Sequence, residues 1–457
     1  MKKLLFFFLF LCAVNLSAQP PTQITFTDQD CITKGSGSGI LTWQDVNKKL
    51  DAVFRISAVG NSQKRTEAIT TPYAVTITGN ITTISDYAFA YCGILVSVNI
   101  PSATTIGYHA FAYCTELETL NVPSATTIGD GAFNVCSSLK TLDIPSAITL
   151  GEYAFAWCSK LETANMPKVT TIGNGAFAVC NSLKNINMPK VTTIGEEAFQ
   201  DCDLLQTVDI PSAKTINENV FANCSSLVRV DMPSVITIGE KVFVNCTSLV
   251  SVDMSSATTI GDWVFQGCSS LVSVNMPSVI TLGDWVFNIC DSLKSVDMPS
   301  VITIGESAFS YCSSLVNVNM SSVVTVGEGA FYNCTALKTV YMPSVITIED
   351  RGFGFCHKLE EVYMSNVTTI GNGAFYDCNS LKSITILNLT PPILMTNAFG
   401  DPDVPASLVP NTCVLWLANS TAIITYRKDN SWNTQFLLRT ILSKELGPGL
   451  DTIDIKK

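Results

Sequence analysis

Apolar and polar positions in the middle of the chain follow a pattern that repeats every 22 residues without a gap. Phenylalanine marks it fourteen times, from Phe89 to Phe375, with cysteine three residues later (Cys92 to Cys378) and leucine six later (Leu95 to Leu381). Ile, Leu or Val stands five residues earlier, as in Ile238, Leu282 and Val326. The window 232–253, MPSVITIGEKVFVNCTSLVSVD, is the type unit. A period of this length signals a solenoid or a propeller. Alternation in Leu227-x-x-Val230-x-Met232 predicts a short strand with Val230 and Met232 inward. Pro233, kept in ten coils and replaced by Ser255, Ser321 and Ser365 in three, fits a position after the strand where no ladder donor is needed. Val235-x-Thr237-Ile238 predicts a second extended piece. Glycine holds the column of Gly239 in eleven coils, with Ser85, Asn217 and Glu349 the exceptions, and is expected to turn the chain at positive φ. The column of Glu240, acidic in eleven coils, is expected to open one 3₁₀ or α turn whose N-terminus favours negative charge.

One such unit cannot fold alone. Its about six apolar side chains stabilise by roughly 1.5–3 kcal/mol each when buried, against about 1–2 kcal/mol of backbone entropy for every residue ordered. Stacking reverses the balance, because neighbours cover both flanks and exchange backbone hydrogen bonds. The predicted fold is a leucine-rich, right-handed solenoid. Its stacked 22-residue coils form a parallel β-sheet, with short 3₁₀/α turns on the opposite side. At about 4.8 Å per step the coils make a rod or shallow arc. Residues 19–78 and 388–457 lack the repeat and are expected to cap the ends of the solenoid at 79–387. Within the tail, 414–417 and 423–426 read as strands, 432–442 as a short helix and 446–457 as loose chain.

Residues 1–18 read as a secretory signal peptide: Lys2 and Lys3, an apolar run to Val14, then Leu16-Ser17-Ala18. The run is too short for a transmembrane span, and no other is long enough. Leu11 before Cys12 does not suit a lipoprotein. The expected location is therefore secreted or at a bacterial cell surface. A net charge of −11, spread evenly, argues against nucleic acid, whose phosphates need clustered Lys and Arg.

In an exported protein the cysteine column suggests disulfides. Parallel side chains about 4.8 Å apart, however, hold Cβ atoms beyond the usual bridging distance, and a line of ligands does not converge on a metal. The column reads as small buried thiols. Cys31 and Cys413, near opposite ends, cannot pair with each other. The threonine column from Thr83 to Thr369 reads as β-branched strand with hydroxyl bonding between coils. The variable position before it, with Thr, Ile, Val and Lys214, spoils an ice-binding array. The column between Val230 and Met232 is Asn or Asp in eleven coils. Its consecutive Asp209, Asp231 and Asp253 read as a solvated face or as a place for a cation such as Ca²⁺.

That column changes to Tyr341 and Tyr363, with Glu361 beside them, while Tyr332, Arg351, Phe355, His357 and Tyr376 enrich the last coils. Exposed Tyr and Arg anchor interfaces. Tyr341, Glu361, Tyr363, Tyr332, Arg351, His357 and Tyr376 thus form the candidate partner-binding set; drift of the repeat toward its end is the competing explanation. Trp157, Trp263 and Trp285 occupy other variable columns and read as edge cover. The two histidines, His109 and His357, lie about eleven coils apart, and no GxSxG, Walker or HExxH motif occurs. The reading is no enzyme and no cofactor.

The string L-x-x-V-x-[MI]-P-S-x-x-T-I-G-[DE]-x-[AV]-F-x-x-C resembles the BspA-like class of leucine-rich repeat over 79–387. These coils are 22 residues long where that class commonly has about 23. Thr390-Pro391-Pro392, Ala398-Phe399, Cys413-Val414-Leu415, Tyr426, Trp432 and Phe436 resemble the C-terminal cap of such proteins. The resemblance implies an extracellular or cell-surface binding protein, often an adhesin, that takes a protein or extracellular-matrix ligand. A passive structural or surface-layer component is the other reading. The ligand and the oligomeric state stay open.

Overall fold

The computed structural model describes residues 22–27, 40–54, 71–395, 397–400, 413–418 and 441–443, with 422, 425, 426, 428, 429, 431 and 432. The expected signal segment 1–18, Cys31 and residues 446–457 lie outside the described residues.

Each coil has three sides. In the type unit the first side is the strand Arg229–Asp231, with Val230 and Met232 buried as their alternation requires. The second side is the strand Thr237–Ile238. Both pair in parallel with the same residues one coil away: Val230 with Val252, and Thr237 with Thr259. The first side forms successive ladders of four, nine and five strands, and the second side ladders of seven and nine. The solenoid expected from the period is therefore present, with two parallel sheets rather than one.

The third side differs from expectation in its local form. Instead of a 3₁₀ or α turn, 240–246 is a chain of single turns, closed by Val244 N–H to Lys241 O (3.2 Å) and Cys246 N–H to Phe243 O (3.1 Å). Between these, the N–H groups of Lys241, Phe243 and Asn245 point along the solenoid and donate to Asp262, Val264 and Gln266 of the next coil at 2.8–2.9 Å. Lys241 and Asn245 stand at φ 54° and 57°, and the same two columns are left-handed in all fourteen coils. A left-handed residue reverses the sense in which a helix would climb, so the segment stays level with its coil and leaves alternate N–H groups free to cross. Such a residue costs roughly 1–2 kcal/mol when it carries a Cβ, and the crossing hydrogen bonds hold it in place. Glycine fills these columns at Gly131, Gly175, Gly267, Gly329 and Gly373, but Val135, Val179 and Ile289 adopt the same conformation.

The column of Gly239 needs a second correction. None of its eleven glycines has positive φ. They are required by close approach instead: a Cβ on Gly261 would stand 2.8 Å from the carbonyl carbon of Gly239 and 2.9 Å from Glu240 N. The exception Asn217 marks the consequence. There the second-side ladder breaks between Thr193–Ile194 and Thr215–Ile216, and the Asn217 side-chain amide, not a backbone N–H, donates to Ile194 O at 2.8 Å. The acidic column also works between coils. Asp86, Asp130, Asp262, Asp284 and Asp350 accept through Oδ1 from the backbone N–H one coil on, at 2.7–2.9 Å.

Inside, the fourteen phenylalanines form one stack, with ring centroids 4.9 to 5.6 Å apart and planes within 1° to 16° of parallel. Described residues beyond the repeat extend it. Phe26 meets Phe89 edge-on at 5.7 Å, and Phe399 continues from Phe375 at 5.4 Å before Trp432 covers it. Thr22–Phe26 and Tyr73–Ile77 likewise add strands to the first side, and Ile40–Leu41 adds one to the second. The helix Trp43–Phe54 begins on a reciprocal cap between Thr42 and Asp45. In the tail, Val414–Leu417 is a strand as expected. Thr425 and Tyr426, expected in a strand, are helical, and Tyr426 turns its ring onto Trp432. Ile441 and Leu442, expected to end a helix, instead lie in the strand Ile441–Ser443, which pairs with Val414–Leu417 as the last rung of the first side.

The cysteines are thiols throughout the described residues, and they do more than fill space. From Cys114 to Cys378 each Sγ donates to the carbonyl of the phenylalanine in the preceding coil, at 3.0–3.4 Å. Burial pushes the thiols from Cys136 to Cys378 up, Cys158 to about 12 from an ordinary 9.0. A folded pKa above the unfolded one gives stability that is full below pH 9.0 and declines as pH rises toward 12.

Three outcomes follow from this core. Gly261→Ala is expected to lower unfolding free energy by about 1–3 kcal/mol through overpacking, whereas Ile289→Asn, in an exposed left-handed position, is expected to raise it by about 1 kcal/mol; urea melts of both variants check this. At pH 8 a thiol reagent should label none of Cys92 to Cys378 in the folded protein and all of them after unfolding, as read by mass spectrometry. Thermal melts should show a falling Tm above pH 9.

Candidate binding surface

The structure divides the seven candidate residues between two sides. Tyr341 and Tyr363 lie in register on the first side, in the strands Thr339–Met342 and Glu361–Met364. Their rings stack with centroids 4.8 Å apart and 25° between planes. Tyr341 is 57 % exposed, the most exposed aromatic among the described residues. Glu361 is exposed between Thr339 and Ser383 in the neighbouring column. The same register continues from Tyr363 through Thr385 to Trp416. Sequence reasoning missed Trp416 because an interval longer than 22 residues separates it from Thr385; the alternating Val414-Leu415-Trp416-Leu417 was the available signal.

The other four lie on or beside the third side. Phe355 joins them, edge-on to Tyr332 at 5.1 Å, to Tyr376 at 4.8 Å and to His357 at 5.9 Å. His357 Nε2 meets Asp377 Oδ2 at 2.9 Å. Burial and the neighbouring Tyr311 push the Tyr332 phenol up, while the charge of Arg351 pulls it down. Backbone conformation fixes where these side chains point, since Arg351 and Phe355 occupy the two left-handed columns at φ 54° and 59°. Four of the seven thus share one cluster and three another; the structure does not merge them.

Before the tyrosines, the first-side column is a hydrogen-bonded row. Asn121 donates to Asn99 at 2.7 Å, Asn165 to Asp143 at 2.9 Å, Asn275 to Asp253 at 3.0 Å and Asn319 to Asp297 at 2.9 Å. Asp209, Asp231 and Asp253 are in register, but Arg229 neutralises Asp231 at 3.0 Å. Among the described residues no three acidic, cysteine or histidine groups converge as metal ligands. Of the tryptophans, Trp263 and Trp285 stack at 5.2 Å on the third side, and Trp157 is exposed beside Tyr153. A further exposed aromatic area, Tyr87, Tyr108 and Tyr113 with half-buried His109, lies at the N-terminal end of that side and was not anticipated.

A family model described as the BspA type leucine rich repeat region matches residues 71–181, 148–272, 237–356 and 281–401, which together cover most of the chain. The chain belongs to the BspA type leucine-rich repeat family. Among solved structures, a leucine-rich repeat protein from Bacteroides ovatus ATCC 8483 is 29 % identical, with a TM-score of 0.59, over 68 % of this chain and 86 % of that one. A leucine rich cell surface protein from Faecalibacterium prausnitzii A2-165 is 26 % identical over 68 % and 87 % of the two chains, with a TM-score of 0.39. No curated protein matches. Among the described residues no helix is long and apolar enough to cross a membrane. In this chain the inward columns of the repeat hold one or a few apolar residue types, while the outward columns vary. The first-side column is Asn or Asp from Asn99 to Asn319 and becomes aromatic at Tyr341 and Tyr363.

Proposed function

We propose that this BspA type protein is exported and binds a protein or extracellular-matrix partner at the cell surface through the first-side column of Tyr341, Tyr363 and Trp416, with Glu361 at its edge. The observation that carries the reading is the stacked tyrosine pair standing where eleven earlier coils bear Asn or Asp. Five neighbouring pairs of the Asn and Asp row bond to one another, from Asn121 with Asn99 to Asn319 with Asp297. A large, rigid ring pair, with Tyr341 exposed and Tyr363 half-buried, offers the kind of anchor on which protein interfaces concentrate their energy. Tyr332, Arg351, His357 and Tyr376 form a second contact on the third side. Export rests on the signal-like residues 1–18. The flanking segments 19–78 and 388–457 act as caps, a role supported by Phe26 and Trp432 closing the two ends of the aromatic stack. The reading assigns no catalysis and no cofactor.

Retention on immobilised host extracellular matrix tests this. The double variant Tyr341→Ser, Tyr363→Ser is expected to be retained at least about tenfold less than wild type, as removal of a central anchor pair implies. Equal retention by a variant whose thermal melt is unchanged rejects the site.

A further inference from the structure

One joint between coils is fastened less than the others. On the second side, the residue before the threonine column donates its backbone N–H to its counterpart one coil back at every step from Thr104 to Thr368 except at Lys214. Thr192 reaches Thr170 O in this way at 3.0 Å, and Ile236 reaches Lys214 O at 2.9 Å. Lys214 also lacks the hydroxyl by which Thr104, Thr126, Thr170 and Thr192 reach the same carbonyls at 3.1–3.3 Å. Three residues on, Gly195 N–H donates to Ile172 O and Gly239 N–H to Ile216 O, both at 2.8 Å, but between them the Asn217 side-chain amide takes the place of the backbone bond. The amide makes the difference and not the added Cβ, because Glu349 carries a Cβ in the same column and keeps its backbone bond to Val326 O at 2.9 Å. The first side is thinned at the same joint. Asn185–Asn187 and Thr207–Asp209 pair at Asn185 and Thr207 alone, where the joints before and after pair at three positions. Ile186 is only partly buried, while its counterparts Ala164 and Val208 lie in the core.

The third side stays closed there. The N–H groups of Glu197, Phe199 and Asp201 cross to Glu218, Val220 and Ala222 at 2.9–3.0 Å, the rings of Phe199 and Phe221 stack at 5.5 Å, and Asn223 adds an amide bond to Asp201 at 2.8 Å. The first-side ladder also ends at Thr119–Asn121 and at Asn317–Asn319, but at those joints the second side is intact, with Ile148 N–H to Thr126 O and Ile346 N–H to Val324 O both at 2.8 Å. A joint held on two of its three sides cannot open without breaking a ladder; a joint held on one side can turn about it.

We propose that the solenoid has a hinge at this joint, with the third side as its axis and 71–201 and 207–395 as two stiff arms. A repeat array is held together only by contacts between nearest neighbours, so it yields at its least fastened interface. Hinges are commonly a few element-terminal residues that absorb the change, and Lys214 and Asn217 flank the short strand Thr215–Ile216. The Asn217 amide, on a side chain with its own rotatable bonds, can follow Ile194 O through a swing that would break a bond from a backbone N–H fixed in its coil. The column of Tyr341 and Tyr363 lies on one arm and the exposed Tyr87, Tyr108 and Tyr113 on the other. The hinge therefore sets the angle between two surfaces of one molecule, whatever each of them binds.

Pulsed electron–electron distance measurements on the full chain test the proposal, with spin labels attached through a keto amino acid so that no native thiol is touched. Labels at positions 170 and 236 lie three coils apart in one outward column, with the joint between them; pairs at 104 and 170 and at 236 and 302 have the same spacing within one arm. The distance distribution is expected to be at least about twice as wide across the joint as within either arm, as rotation about one hinge implies. Asn217→Gly, which returns a backbone N–H to Ile194 O, is expected to narrow it to the width seen within the arms. The double variant Lys214→Thr, Asn217→Gly, which gives the joint the residues of its neighbour at Thr192 and Gly195, should do the same. Equal widths across the joint and within the arms overturn the proposal, as does a wide distribution that the two variants leave unchanged.

Discussion

Every coil of this protein depends on its neighbours being the same length. The N–H groups of Lys241, Phe243 and Asn245 find acceptors only in the next coil, Gly239 N–H finds one only in the previous coil, and the thiol of Cys246 reaches back to Phe221. One inserted residue would displace all these columns at once and bury unmatched donors, each a loss of about 1–3 kcal/mol. An uninterrupted 22-residue period over fourteen coils is the sequence counterpart of that constraint. The stacked phenylalanines fill the space that the hydrogen-bonded frame encloses; the frame sets their spacing.

The period and its inward positions were legible because burial writes directly into residue type. Phe243, Cys246, Leu249, Val230 and Met232 had to be apolar or small, and alternation around Val230 showed the strand. The left-handed columns were not legible, because their occupants range from glycine to tryptophan. Their conformation is imposed by bonds to the next coil, so local preference leaves only a weak trace. Gly239 was correctly seen as special but for the wrong reason, since positive φ and close approach both select glycine, and only the distance to the preceding coil separates them. The tail misled for a similar cause: Ile441–Ser443 is a strand because Val414–Leu417 offers it an edge, a relation no short window contains.

The candidate site was legible to the same extent. A 22-residue interval put Tyr341 beside Tyr363, and the structure places them in contact. Equal intervals say nothing about which side of a coil a column faces, and so the third-side group around Phe355 was joined to them on paper alone. Trp416 entered the column through a longer excursion of the chain. Because the frame fixes the core, the outward columns tolerate a wider range of residue types than the inward ones. Differences among them, such as Tyr for Asn or Ile for Thr, carry the information that distinguishes one stretch of the solenoid from another.

The thiol hydrogen bonds all run the same way. From Cys114 to Cys378 each cysteine leans on a carbonyl 25 residues before it. A chain emerging from its N-terminus therefore finds each phenylalanine carbonyl already in place when the corresponding sulfur arrives. The row of sulfurs thus has a polarity, like courses of brick laid upward from a footing.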